Sequence, residues 1–172
     1  MGYDISLEKN GETAKLNRPM ELKGSVYAIG GSDEASYSIT FNYSGFYKDA
    51  FEDPDGIGCL KGLSYGEGLV KIARAISKLS DENLPPTIED MRQEEAQCIA
   101  ELKARKEGDF LFDYLKSKIQ KIRRRIAEAN PDSDRVRPSY WDATPYNAKI
   151  ALRNLLKMAA EAPTDTTWVV DK

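Results

Sequence analysis

Polar and apolar positions alternate most cleanly in Tyr37-Ser38-Ile39-Thr40-Phe41-Asn42-Tyr43, the pattern of an extended strand with one aromatic face and one polar face. The same period of two marks Tyr3, Ile5 and Leu7. Asn10-Gly11 then supplies the left-handed positions of a tight turn before Thr13 to Leu16, which is a hairpin signal. Pro19 and Gly24 punctuate the passage to a strand at Ser25 to Ile29, and Gly30-Gly31 permit reversal into the Tyr37–Tyr43 strand. Trp168-Val169-Val170 is read either as an edge strand or as a pinned tail.

Elsewhere the apolar period becomes helical. Phe46, Tyr47, Ala50 and Phe51 predict a short helix laid on the aromatic strand, ended by Asp53-Pro54-Asp55-Gly56. Ser64 and Glu67 form a capping-box pattern ahead of Leu69, Ile72, Ala73, Ile76 and Leu79. A second such pattern, Thr87 with Asp90, opens a charged helix expected to reach about Lys106. Gly108 and Asp109 stop that helix and cap the next, whose Phe112, Leu115, Ile119, Ile122 and Ile126 form an apolar seam. Thr144-Pro145 starts a last helix lined by Ala148, Ala151, Leu152, Leu155, Leu156 and Ala159. The reading is an α+β fold: an antiparallel sheet of three to five strands packed against two or three helices. Residues 1–172 are expected to form one domain, with 87–130 as an antiparallel helical arm inserted into it.

Composition adds a charge asymmetry and removes several chemistries. At 172 residues the chain is long enough to bury roughly two thirds of its unfolded surface. Residues 1–60 carry five Lys/Arg against ten Asp/Glu, and residues 61–172 carry twenty against eighteen. That permits an acidic face for a basic partner and a separate basic patch, although a mixed solvated surface gives the same tally without any partner. Met1 to Asn10 has no basic start followed by an apolar run, and no membrane-length apolar stretch follows, so a cytoplasmic protein is expected. Cys59 and Cys98 lack paired ligand spacing and are read as reduced thiols.

The sequence contains no histidine, which removes Ser-His-Asp and Cys-His catalysis and the usual zinc and non-haem iron sites. Carboxylate chemistry would need two or three acids converging on one point, and Asp53 with Asp55 is the tempting pair, but a D-P-D-G turn explains them without a metal. Pro54-Asp55 with Glu101-Leu102-Lys103 imitates a nuclease motif, but its second half falls on a predicted helix where a strand is needed. Gly62, Gly66 and Gly68 precede no Gly-Lys-Ser/Thr, so they read as turn and packing residues, not as a phosphate loop. No cofactor, metal site or catalytic residue is expected, and no enzymatic activity.

Two surface features remain as candidate sites. Lys116, Lys118, Lys121, Arg123, Arg124 and Arg125 form the concentrated cationic stretch, which reads as a phosphate-backbone contact for DNA or RNA or as a solvated helix face, with no aromatics interleaved among the cations. Asp33, Glu34, Asp49, Glu52, Asp53 and Asp55 supply the acidic surface of the first third.

The chain also resembles a family of small bacteriophage and prophage proteins. The likeness rests on Gly2-Tyr3-Asp4-Ile5-Ser6-Leu7, Tyr27-Ala28-Ile29-Gly30-Gly31, Ile39-Thr40-Phe41-Asn42-Tyr43 and Gly56-Ile57. It resumes at Tyr140-Trp141-Asp142-Ala143-Thr144, Asn147-Ala148-Lys149, Ala151-Leu152 and Trp168, and the 87–130 arm departs from it. The resemblance carries over no site residue. It implies an accessory protein deployed against host immunity, including anti-CRISPR inhibitors of Cas9, whose positively charged nucleic-acid channels would accept the six carboxylates. A nucleic-acid-binding phage protein using the basic helix is the alternative, and a structural or ligand-sequestering phage module is a third.

Overall fold

A computed structural model of the chain describes residues 2–21, 26–106 and 109–172. Gly24, Ser25 and Gly108, named above as breakers and strand start, lie outside them. The described residues divide into two compact units, one comprising 1–83 and 140–172, the other 84–139.

The first unit is an antiparallel sheet covered by helices. Strand β1 (Gly2–Lys9) turns through Asn10 and Gly11, at φ 55° and 81°, into β2 (Glu12–Thr13). Two consecutive left-handed residues are what a two-residue hairpin loop requires, and Lys9 pairs with Glu12 across it. Strand β3 (Val26–Ala28) pairs with β4 (Ser36–Thr40), β4 pairs with β1 from Gly2 to Ser6, and β5 (Thr167–Asp171) pairs with β1 from Asp4 to Glu8. Trp168-Val169-Val170 is thus a strand, held on its other side by bonds from Gly62 N–H to the Trp168 carbonyl and from Trp168 N–H to the Leu63 carbonyl.

The period-two stripe does not continue as strand to Tyr43. Thr40 Oγ1 accepts from the Asn42 amide, and Phe41–Tyr43 winds into a 3₁₀ turn that leads into α1 (Ser44–Phe51). Tyr43 therefore joins Tyr47 and Phe51 at helical spacing, with successive ring centroids 6.0 and 6.3 Å apart in edge-to-face contacts. Nor is the other face of β4 simply exposed. Ser36 and Ser38 are buried, because small side chains in a strand flanked on both sides are covered by their neighbours.

A second 3₁₀ turn, Gly56–Leu60, precedes α2 (Tyr65–Lys78), which the expected Ser64–Glu67 capping box begins. Helix α5 (Pro145–Glu161), opened by Thr144 and Pro145, supplies Ala148, Ala151, Leu152, Leu155 and Ala159 to the core. These pack with Tyr3, Ile5, Leu7, Tyr37 and Ile39 from one sheet face and with Ile57, Leu60 and Ile72. Burying one such side chain contributes about 1.5–3 kcal/mol, so this cluster dominates the unit's stability.

The second unit is a helical hairpin. Helix α3 (Ile88–Lys103) starts at the Thr87–Asp90 capping box and ends three residues before the expected Lys106, and α4 (Phe110–Ala127) is capped by the Asp109 side chain on the Leu111 amide. Met91 and Cys98 face Leu115, Ile119 and Ile122, and Val136 from the following segment closes the cluster. That segment is tied back by Val136 N–H to the Pro86 carbonyl and by the Arg135 guanidinium to the Pro85 carbonyl at 2.7 Å.

Candidate functional site

Within the first unit the six carboxylates do not form one patch. Asp33 and Glu34 precede β4 and share Lys15, at 3.3 and 2.8 Å. Glu34 holds the Lys15 ammonium above its ordinary value, against the effect of burial. Asp49, Glu52, Asp53 and Asp55 follow the other end of β4, through α1 and the turn after it. Ser36 and Thr40, at the two ends of that strand, are about 13 Å apart at roughly 3.3 Å per residue.

The second group is a carboxylate-dense turn. Glu52 sits at φ 53° as the left-handed cap of α1, and its side chain pairs with Lys78 at 2.9 Å, which holds its carboxyl pKa below the ordinary value. Asp53 accepts the Asp55 amide at 2.9 Å, the turn reading of this pair. Asp55 pairs with Lys172, whose ammonium it holds above its ordinary value. Asp49 lines a cleft of about 300 Å³ together with Phe46, Ala50, Lys78, Leu79, Ser80 and Pro145. Among the described residues no group of three or more His, Cys, Asp or Glu is placed to hold a metal ion.

The first unit also holds an ionic cluster that sequence reading missed. Lys149 on α5 is buried, and its ammonium donates to the Leu79 carbonyl at 2.8 Å and to Asp81 at 2.9 Å, while Arg153 reaches the other Asp81 oxygen at 3.1 Å. The bond from Lys149 holds the Asp81 carboxyl below the usual range. The signal lay in the i, i+4 spacing of Lys149 and Arg153, but their acid is 68 and 72 residues away in the chain.

In the second unit the cationic stretch runs along α4 with different fates for its members. Lys118 bonds Glu94 at 2.8 Å and Arg123 bonds Glu95 at 2.6 Å, tying α4 to α3. Burial opposes the Lys118 charge, yet Glu94 outweighs it and the ammonium is held above its ordinary value. Arg124 pairs with Glu128 at 3.0 Å, Arg125 donates to the Arg137 carbonyl at 3.0 Å, and the Lys116 ammonium lies 4.5 Å over the Phe112 ring. Lys121 is exposed.

Aromatics do accompany these cations. Phe110 and Tyr114 are 83% and 53% exposed, and at 3.6 residues per turn they share a face with Lys121 and Arg124, opposite the Leu115–Ile119–Ile122 seam. The rings precede the cationic run instead of interrupting it, so the linear pattern concealed what a helical projection shows. Glu101-Leu102-Lys103 lies on α3, so the nuclease-like motif has no strand for its second half. No described helix is long and apolar enough to cross a membrane.

Compared with protein-family models, curated proteins and solved structures, the chain matches none of them.

Proposed function

We propose that the protein is a non-enzymatic, phage-encoded inhibitor that binds a host defence nuclease complex, with Cas9 the leading target. The observation that carries this reading is the run of carboxylates from Asp49 on α1 to Asp55 in the turn after it, beside the Phe46–Pro145 cleft. An arginine or lysine from a nucleic-acid channel has an apolar stem and a charged head. Its stem fits against Phe46 and Pro145 while the head meets Asp49, which lines the same cleft. The ion pairs of Glu52 and Asp55 with Lys78 and Lys172 are exposed, where such pairs add little to stability. A denser cationic surface can therefore exchange into them. The resemblance to phage accessory proteins supplies the class of target, and the carboxylates supply complementarity to a channel built for nucleic acid.

Co-purification with Cas9 proteins of several type II systems, paired with a DNA-cleavage assay, tests the proposal. Stoichiometric complex formation with loss of cleavage is expected, weakened by Asp49→Lys with Asp53→Lys. Absence of both binding and inhibition across the orthologues would overturn it.

A further inference from the structure

We propose that the outward face of α4 is a binding site for single-stranded DNA, in which Phe110 and Tyr114 stack on bases while Lys121 and Arg124 take phosphates. This inference concerns the second unit alone and does not depend on the inhibitor reading. It begins with an anomaly of exposure. Phe110 is 83% exposed and Tyr114 53%, on a helix whose opposite face already fills the hairpin core with Leu115, Ile119 and Ile122. Two aromatic rings one helical turn apart, about 6 Å along the axis at 1.5 Å per residue, form a ledge instead of a core.

Charge complementarity selects the occupant. From Lys116 to Arg125 the chain has six cations and no acid. Lys121 and Arg124 continue the line of the two rings, and they reach about 16 and 21 Å from Phe110 along the axis. The acids near this line are Asp109, the N-cap beside Phe110, which pairs with Arg105 at 3.5 Å, Asp113 in the first turn of α4, and Glu128, which occupies Arg124. The Arg124–Glu128 pair is 79% and 55% exposed, and an exposed pair of this kind is weakly held, so a phosphate competes for the guanidinium. An apolar protein partner would use the rings and leave the cations idle. Duplex DNA would use the cations and leave the rings idle, because its bases are already stacked. A single strand engages both, since every unpaired base offers a π-face and every linkage a negative charge.

Fluorescence anisotropy of the full chain with labelled oligothymidine, repeated over a salt series, tests the site. Binding is expected at low salt, with an affinity falling by about 0.7 of a log unit per log of salt for each phosphate neutralised. Phe110→Ala and Tyr114→Ala should each weaken binding by about 5- to 150-fold while leaving the salt slope unchanged. Lys121→Gln with Arg124→Gln should flatten the slope, and Glu128→Gln should tighten binding by freeing Arg124. Circular dichroism checks that each variant keeps its helix. No binding at low salt, an affinity unchanged from the parent chain in either ring variant, equal affinity for a duplex, or markedly tighter binding of oligouridine would each overturn the assignment.

Discussion

The indole of Trp168 occupies the space that the missing side chain of Gly68 leaves open. Trp168 is fully buried in β5 and donates from Nε1 to the Tyr65 carbonyl at 3.2 Å. A Cβ on Gly68 would stand 2.8 Å from Cε2 and closer still to Nε1. The sheet and α2 approach through this one vacancy. In Gly68→Ala the gain in helix propensity of up to about 1 kcal/mol is opposed by overpacking, typically about 1–3 kcal/mol, against a ring that cannot yield. Net destabilisation is expected. Gly66→Ala, two residues away with open space at its Cβ, should instead stabilise by a few tenths to about 1 kcal/mol. Thermal denaturation of both variants checks the opposite signs, and equal shifts would deny the close approach its energetic weight.

Asp81 makes the fold sensitive to acid. Its carboxyl is depressed, first by the hydrogen bond from Lys149 and also by the charges of Lys149 and Arg153. A depressed carboxylate contributes stability that is present above its unfolded value, about 3.9, and is lost as the pH falls through the folded value. Glu52, Glu67, Asp90 and Asp165 are shifted the same way, so unfolding on the acid side should steepen below about pH 4. Asp81→Asn should reduce stability at pH 7 and narrow the difference from the parent chain as the pH drops. Chemical denaturation at pH 7 and pH 3 measures both.

The two thiols behave oppositely to an activated cysteine. Burial raises Cys98, which lies in the α3–α4 core, and burial likewise raises Cys59 in the first unit. A raised thiol stabilises the folded state below the ordinary thiol value, about 8.5, and that contribution disappears as pH climbs through the folded value. Cys98 should react slowly with a disulfide reagent at pH 7.5 and rapidly once the chain is unfolded in guanidinium, and the half-buried Cys59 should react the faster of the two in the native protein. Fast labelling of Cys98 in the native protein would contradict its burial.

Local signals were legible in the chain and distant ones were not. Asn10-Gly11, Ser64 with Glu67, Thr87 with Asp90 and Thr144-Pro145 all perform the turn or cap their residue types imply, because each acts over two to four residues. The stripe from Tyr37 to Tyr43 misled because Tyr43 fits two periods at once: it continues an alternation and also begins Tyr43–Tyr47–Phe51 on a helix. Burial of Ser38 depends on β1 and β3 lying to either side, which alternation within β4 cannot reveal. The same limit applies to the candidate surfaces. Counting charge along 1–60 joined Asp33 to Asp55, whereas a strand of five residues separates their groups, and reading α4 linearly parted Phe110 and Tyr114 from the cations they accompany.

The core of the hairpin offers a separable measurement. Ile119 is buried among Met91, Cys98, Leu115, Ile122 and Val136, a cluster distinct from the one beneath the sheet. Removing its side chain deletes apolar contact and leaves a cavity, at a cost of about 2–5 kcal/mol for Ile→Ala. Both tryptophans, Trp141 and Trp168, belong to the first unit, so indole fluorescence reports that unit while the far-ultraviolet helix signal reports both. Ile119→Ala should therefore shift part of the helix signal to lower denaturant and leave the fluorescence midpoint near that of the parent chain. Leu152→Ala, in the other core, should move the fluorescence midpoint. If Ile119→Ala moved both signals together by the same amount, the two cores would be one cooperative unit, and two-state treatment of the whole chain would apply.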